Sequence, residues 1–402
     1  MSITHKTNDA LEGITVVEFG SYAAGPAIGK YLANFGARVI HVESENRPDG
    51  FRLQYPPFKD HKLGINRSGC FAYFNDSKYG VTIDLKSAGG RELALKVVET
   101  ANVVIENMRP GVMERIGLGY KTLRERKPDL VMLSTSNMGQ TGPHAEHPGF
   151  GSQLSSLSGF TELTGEAEGP PSLLYGPYID LIAVAYGGAA VLAALDYARR
   201  TGEGVHIDVS QYETGIQFLA TEILEYGVSG KIARRRGNHD DDAVPHGCYP
   251  CRDGRWCAIS CWNDEEWSRL CRALQHSEWL DDARFATAGA RREHEGELNE
   301  LIADCTRDRD AMALMRMLQE AHIHAAAVNS VSDLFSDPQL AAREIWQSHD
   351  HAEIGQQRYR MVSYQLSETP GRVRRSAPCL GQDNDEILGE LAEMHAQRSG
   401  AQ

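Results

Sequence analysis

The chain has 402 residues, 41% of them apolar, and a net charge of −14. That length and apolar content support two or three domains around a large core. The acidic balance argues against nucleic acid or an anionic membrane as the main partner, because both repel it.

Gly13–Gly20, "GITVVEFG", reads as a buried strand. A loop and helix follow over 23–36, with Pro26 suited to the first helical turn and Gly36 to the stop. Strand 37–44 completes a βαβ unit, which requires a parallel sheet. The pattern continues with strand 80–85, helix 89–101, strand 102–107, two short helices and strand 130–136. These segments predict a doubly wound, Rossmann-like α/β domain. The apolar stretch 173–195 reads as a buried helix, followed by a strand at 204–209 and a long helix. From Leu181 to Leu195 it falls short of the roughly 20 residues a membrane span needs.

Composition then turns charged and turn-rich. "GCYPCRDGRWCAISC" predicts a β-hairpin turning at Asp253-Gly254, and three helices follow it. The expected layout is a large domain over 1–225, a smaller α+β domain over 226–325, and a segment over 326–402 that returns to the first. The polar start, MSITHKTNDA, lacks an apolar signal core, so a cytoplasmic protein with reduced thiols is expected.

Several motifs can be weighed and set aside. Cys248, Cys251, Cys257 and Cys261 have zinc-like spacing, but the last two alternate as small apolar strand residues do, and no metal is expected. The turn after the first strand lacks the glycine spacing of a nicotinamide site. Neither a G-x-S-x-G nor an H-E-x-x-H motif is present. Arg234–Arg236 reads as a solvated face, with contact to phosphates as the alternative, and "SHDHAE" (348–353) as an exposed polar loop.

Asp180 stands apart as the one acid at the head of the apolar stretch. An N-cap is the plain reading. Its helical face, however, carries Ala183, Val184, Gly187 and Gly188. Two adjacent helical glycines cost about 1 kcal/mol each relative to alanine, which implies close approach by a backbone or a bulky ligand. A partly dry carboxylate there can serve as a nucleophile.

Nine segments in order, among them "LEGITVVEFGSYAAGPAIGKYLANFGARVIHVE", "VVIENMRPGVMERIGLGY", "GQTGP" and "RTGEGVHIDVSQYE", resemble the class III CoA-transferases, the formyl-CoA and carnitine CoA-transferase group. The resemblance implies an interlinked dimer. It also implies CoA transfer through an aspartyl anhydride and an enzyme thioester at Asp180, with CoA thioesters as substrates and no permanent cofactor. By motif position it assigns CoA contacts to Ser21, Tyr22, Ala23, Ala24, Lys78, Asn107, Met108 and Arg115. Segment 136–151 is most similar to transferases that activate benzylsuccinate with succinyl-CoA, some of which pair two related subunits; a silent partner subunit is the reading outside catalysis.

There are departures. Formyl-CoA transferases carry Gln at Ala23, Lys at Ser136, and a tetraglycine loop where "GNHDDDAVPHGC" (237–248) stands here. The family's 2-methylacyl-CoA racemases carry a histidine at the position of Phe150, and phenylalanine cannot shuttle a proton.

Overall fold

A computed structural model describes residues 9–400, with side chains to 394. Its contacts divide the chain into two compact units. The first takes the described residues through Phe160, then Leu173–Lys231, and the described residues from Pro338 onward. The second takes Thr161–Ser172 and Ile232–Asp337. The unit boundaries thus lie at 232 and 337, and a short excursion after Phe160 joins the second unit without any compositional signal.

In the first unit, β1 (Thr15–Phe19), β2 (Arg38–Glu43), β3 (Tyr79–Thr82), β4 (Val103–Glu106), β5 (Val131–Ser136) and β6 (His206–Ser210) form one sheet ordered β3-β2-β1-β4-β5-β6. Every pairing is parallel. Parallel strands are buried on both faces, which explains the near-continuous valine and isoleucine runs. On one face pack α1 (Ala24–Asn34) and the long helix Tyr178–Thr201, through Ile28, Leu32, Ala183, Val184 and Val191. On the other lie α2 (Ala88–Val98) and residues Leu123, Ile387 and Leu391. The C-terminal segment also caps the sheet edge: the Gly80 and Thr82 N–H groups donate to the side chains of Asp383 and Asn384 at 2.7 and 2.9 Å. That satisfies an edge that would otherwise present unpaired donors.

Strand order reverses between β1 and β4. In such sheets the crevice beyond the strand C-termini at this point is where ligands bind. The segments after β1 and β4, Ser21–Ala24 and Asn107–Arg115, flank it.

Three further helices of this unit matter to the site: α3 (Gly151–Leu157), α4 (Tyr178–Thr201) and α5 (Gln211–Ile216). By length and composition α4 could cross a membrane. One of its faces is the buried one named above, while Leu181, Tyr186, Leu192 and Tyr197 on the other face are exposed. The long helix expected after β6 is broken. A 3-10 turn over Gln217–Leu219 separates α5 from α6 (Ala220–Ser229), none of whose residues is buried.

The second unit has an antiparallel sheet, β7 (His246–Pro250), β8 (Trp256–Ser260) and β9 (His324–Ala327). Its hairpin turns at Asp253 and Gly254, both at positive φ. Trp267, Leu270, Leu298, Ile302, Leu314 and Leu318 pack on it together with Cys257 and Cys261, which are ordinary small core residues. All eight cysteines are free thiols, and among the described residues no His, Cys, Asp and Glu group is placed to hold a metal. Arg235 and Arg236 pair with Glu162 and Asp241 within this unit. "SHDHAE" is not a loop. Trp346–His351 pairs with Gly355–Arg360 as a hairpin in the first unit, and buried His351 accepts the Glu353 and Ile354 N–H groups through Nδ1.

Candidate active site

The first turn of α4 is set by Pro177, whose backbone precedes Tyr178 as the cap. Asp180 is therefore not the N-cap but the third helical residue, in the turn where helix N–H groups favour a carboxylate. It is half-buried. Burial raises its pKa from 3.8 to about 6, offset only in part by a hydrogen bond from its own backbone N–H. A carboxylate poised this way is ionised at neutral pH yet poorly solvated, which makes it a stronger nucleophile than one in water.

Gly151, the first residue of α3, touches this carboxylate. A Cβ built on it would lie 2.2 Å from Asp180 Oδ2 and 2.8 Å from Pro177 Cα. No larger residue fits without displacing the acid. Of the two helical glycines, Gly187 is explained by packing: its Cβ would lie 2.5 Å from Ile28 Cδ1 of α1. Nothing lies within 4 Å of a Cβ at Gly188, so that side is open.

The loop after β1 is clamped from two sides. The Ser21 N–H donates to Asn107 Oδ1 at 2.8 Å, and Asn107 Nδ2 donates back to the Ser21 carbonyl at 2.7 Å. From the β2 side, the Tyr22 N–H donates to both oxygens of Asp49 at 3.1 and 3.2 Å, and the Gly50 N–H donates to Ser21 Oγ. Tyr22 sits at φ 65°, a left-handed conformation that costs a non-glycine residue about 1–2 kcal/mol. Gly50 is required here, because a Cβ would lie 2.3 Å from the Tyr22 ring.

The structure sorts the sequence-derived residues. Ser21–Ala24, Asn107 and Met108 meet at the switch point. Asn107 spends its amide on the Ser21 backbone, so it acts on the loop's shape. Met108 is half-buried, with its N–H donated to Glu106 at 2.7 Å; burial raises the Glu106 carboxyl to about 7, against that bond and one from Ser134. Arg115 is exposed, and among the described residues no carboxylate pairs with it. That leaves a guanidinium for an anionic group.

Lys78 is a correction. It is fully buried, and its ammonium already donates to Glu18, the Pro26 carbonyl and Asn75 at 2.7–3.0 Å. Three donors with these acceptors leave none for a CoA contact. Burial would raise the pKa of Glu18, but Lys78 and His41 outweigh it and bring it to about 2. Sequence reading missed Asp49, Gly50 and Gly151. Pro48-Asp49-Gly50 is a turn signal, but only the fold brings it to Tyr22.

A family profile described as CoA-transferase family III matches residues 11–384. The chain belongs to that family. Succinyl-CoA–D-citramalate CoA-transferase from Chloroflexus aurantiacus is 35% identical over 382 residues, covering 95% of this chain and 94% of the relative. Succinate–glutarate CoA-transferase from Agrobacterium fabrum is 34% identical over 385 residues, 95% of each chain. The crystal structure of a CAIB/BAIF family protein from Brucella suis superposes with a TM-score of 0.88 at 31% identity, covering 96% of this chain and all of that one. This family III enzyme is accordingly a CoA-transferase.

Proposed function

We propose that the enzyme moves CoA from succinyl-CoA to a second dicarboxylic acid, an aryl-substituted succinate such as benzylsuccinate fitting the class, with Asp180 as covalent nucleophile. The observation that carries this is the desolvated Asp180 carboxyl beside the switch-point crevice. An Asp180 oxygen attacks the thioester carbonyl; the C–S bond breaks, CoA leaves as thiolate, and an aspartyl–succinyl anhydride remains. The thiolate then attacks the Asp180 carbonyl carbon, releasing succinate and leaving an aspartyl thioester. The acceptor carboxylate displaces CoA to form a second anhydride. CoA attacks its acceptor carbonyl, and Asp180 is regenerated. Each step exchanges acyl partners with no net proton uptake.

A dry site protects both anhydrides from water, and the apolar first turn of α4 suits that need. The backbone of the Ser21–Ala24 loop, Met108 and Arg115 hold CoA, with Arg115 on a phosphate, while Asn107 and Asp49 fix the loop's shape. Exposed Ile223, Leu224, Tyr226 and Val228 on α6 support association with a second copy or a related subunit, since such a patch is rarely left to solvent. Phe150 weighs against α-proton exchange, because no base replaces the racemase histidine. Incubation with succinyl-CoA and a panel of carboxylic acids tests the proposal by mass spectrometry. New thioesters of dicarboxylic acids are expected; deuterium exchange at the α-carbon of a 2-methylacyl-CoA without transfer would replace it with racemisation.

A further inference from the structure

We infer that Tyr22 and Phe150 form an aromatic wall beside Asp180 that selects acceptors bearing a ring or bulky apolar substituent; this rests on the CoA-transfer reading above. Phe150 directly precedes Gly151, the residue whose Cβ position would meet the Asp180 carboxylate, so it is the chain neighbour of the group that borders the acid. It is 59% exposed, which leaves its ring available to a ligand. Its ring meets Tyr22 edge-on, with centroids 6.0 Å apart and planes at 78°.

Tyr22 is held there deliberately. Its left-handed backbone is pinned by the Asp49 carboxylate, its hydroxyl donates to Gln54 at 2.9 Å, and Phe51 packs against its ring at 5.4 Å. Strain maintained by this many contacts belongs at functional positions. A small straight-chain diacid uses little of this surface, whereas an aryl or branched substituent covers it and gains edge-to-face contact.

The test compares kcat/KM for phenyl-substituted succinate with that for unsubstituted succinate in isotope exchange against succinyl-CoA. In the unaltered enzyme the substituted acid is favoured. In Phe150→Ala the ratio falls about tenfold, the size expected for one lost aromatic contact. Phe150→Leu, which keeps apolar bulk, falls less, and Tyr22→Ala follows Phe150→Ala. Melting temperature and elution volume of each variant are measured alongside. An unchanged ratio, or a change in oligomeric state with selectivity intact, overturns the wall. Absence of exchange with every acid in the unaltered enzyme overturns the CoA-transfer reading, and the wall with it.

Discussion

Replacing Asp180 with asparagine should make this enzyme more stable at neutral pH while abolishing transfer. The unfolded chain releases the Asp180 proton near 3.8 and the folded chain near 6. Between those values the folded state holds more protons, so the contribution of Asp180 is fully favourable below about pH 3.8 and is lost as pH rises through 6. The difference corresponds to about 3 kcal/mol if the carboxyl were wholly dry. Asp180 keeps part of its surface in water, and the helix N-terminus favours its charge by about 0.3–1 kcal/mol. A net gain of about 1–3 kcal/mol for Asp180→Asn at pH 7.5 follows, roughly 2–6 °C in melting temperature. Asparagine does not titrate, so the advantage shrinks toward zero near pH 4. Differential scanning fluorimetry across pH 4–8 measures it directly. A stability difference that does not vary with pH would show that the Asp180 carboxyl is not desolvated, and the nucleophile argument would lose its physical basis.

Other perturbations separate structure from chemistry. Lys78→Met leaves the buried Glu18 with His41 as its remaining partner and should cost about 3–5 kcal/mol, seen as a lowered melting temperature; normal stability with a raised KM for succinyl-CoA would restore Lys78 to the CoA site. Gly187→Ala forces a methyl against Ile28 and should destabilise by about 1–3 kcal/mol. Gly188→Ala, with open space around it, should be neutral or stabilising by up to about 1 kcal/mol in the same melts. Arg115→Ala should raise KM for the acyl-CoA about tenfold with kcat little changed, as loss of one charged hydrogen bond would; an unaltered KM removes it from the phosphate role.

The parallel sheet was legible because its strands are buried on both faces and its helices carry their own stop signals, as Gly36 does after α1. Asp180 stood out because an acid is rare at the head of so apolar a run. What could not be read depends on contacts between residues far apart in the chain. Lys78 looks like any surface lysine until Glu18, Pro26 and Asn75 close around its ammonium. The left-handed Tyr22 has no composition signal, since its conformation is imposed by Asp49, 27 positions away. Gly187 and Gly188 read alike, yet only Gly187 meets a neighbouring helix. The excursion at Thr161–Ser172 escaped notice because its residues resemble any polar connection.

The central claim is a covalent bond between Asp180 and the acyl group. Succinyl-CoA mixed with the enzyme, quenched with hydroxylamine or borohydride and mapped by peptide mass spectrometry, tests it directly, because trapping converts the activated Asp180 carbonyl to a hydroxamate or an alcohol as succinate or CoA leaves. The modification should fall on the peptide containing Asp180 and vanish in Asp180→Asn. A tag on another side chain, or turnover with no trapped adduct and full activity in Asp180→Asn, would contradict it.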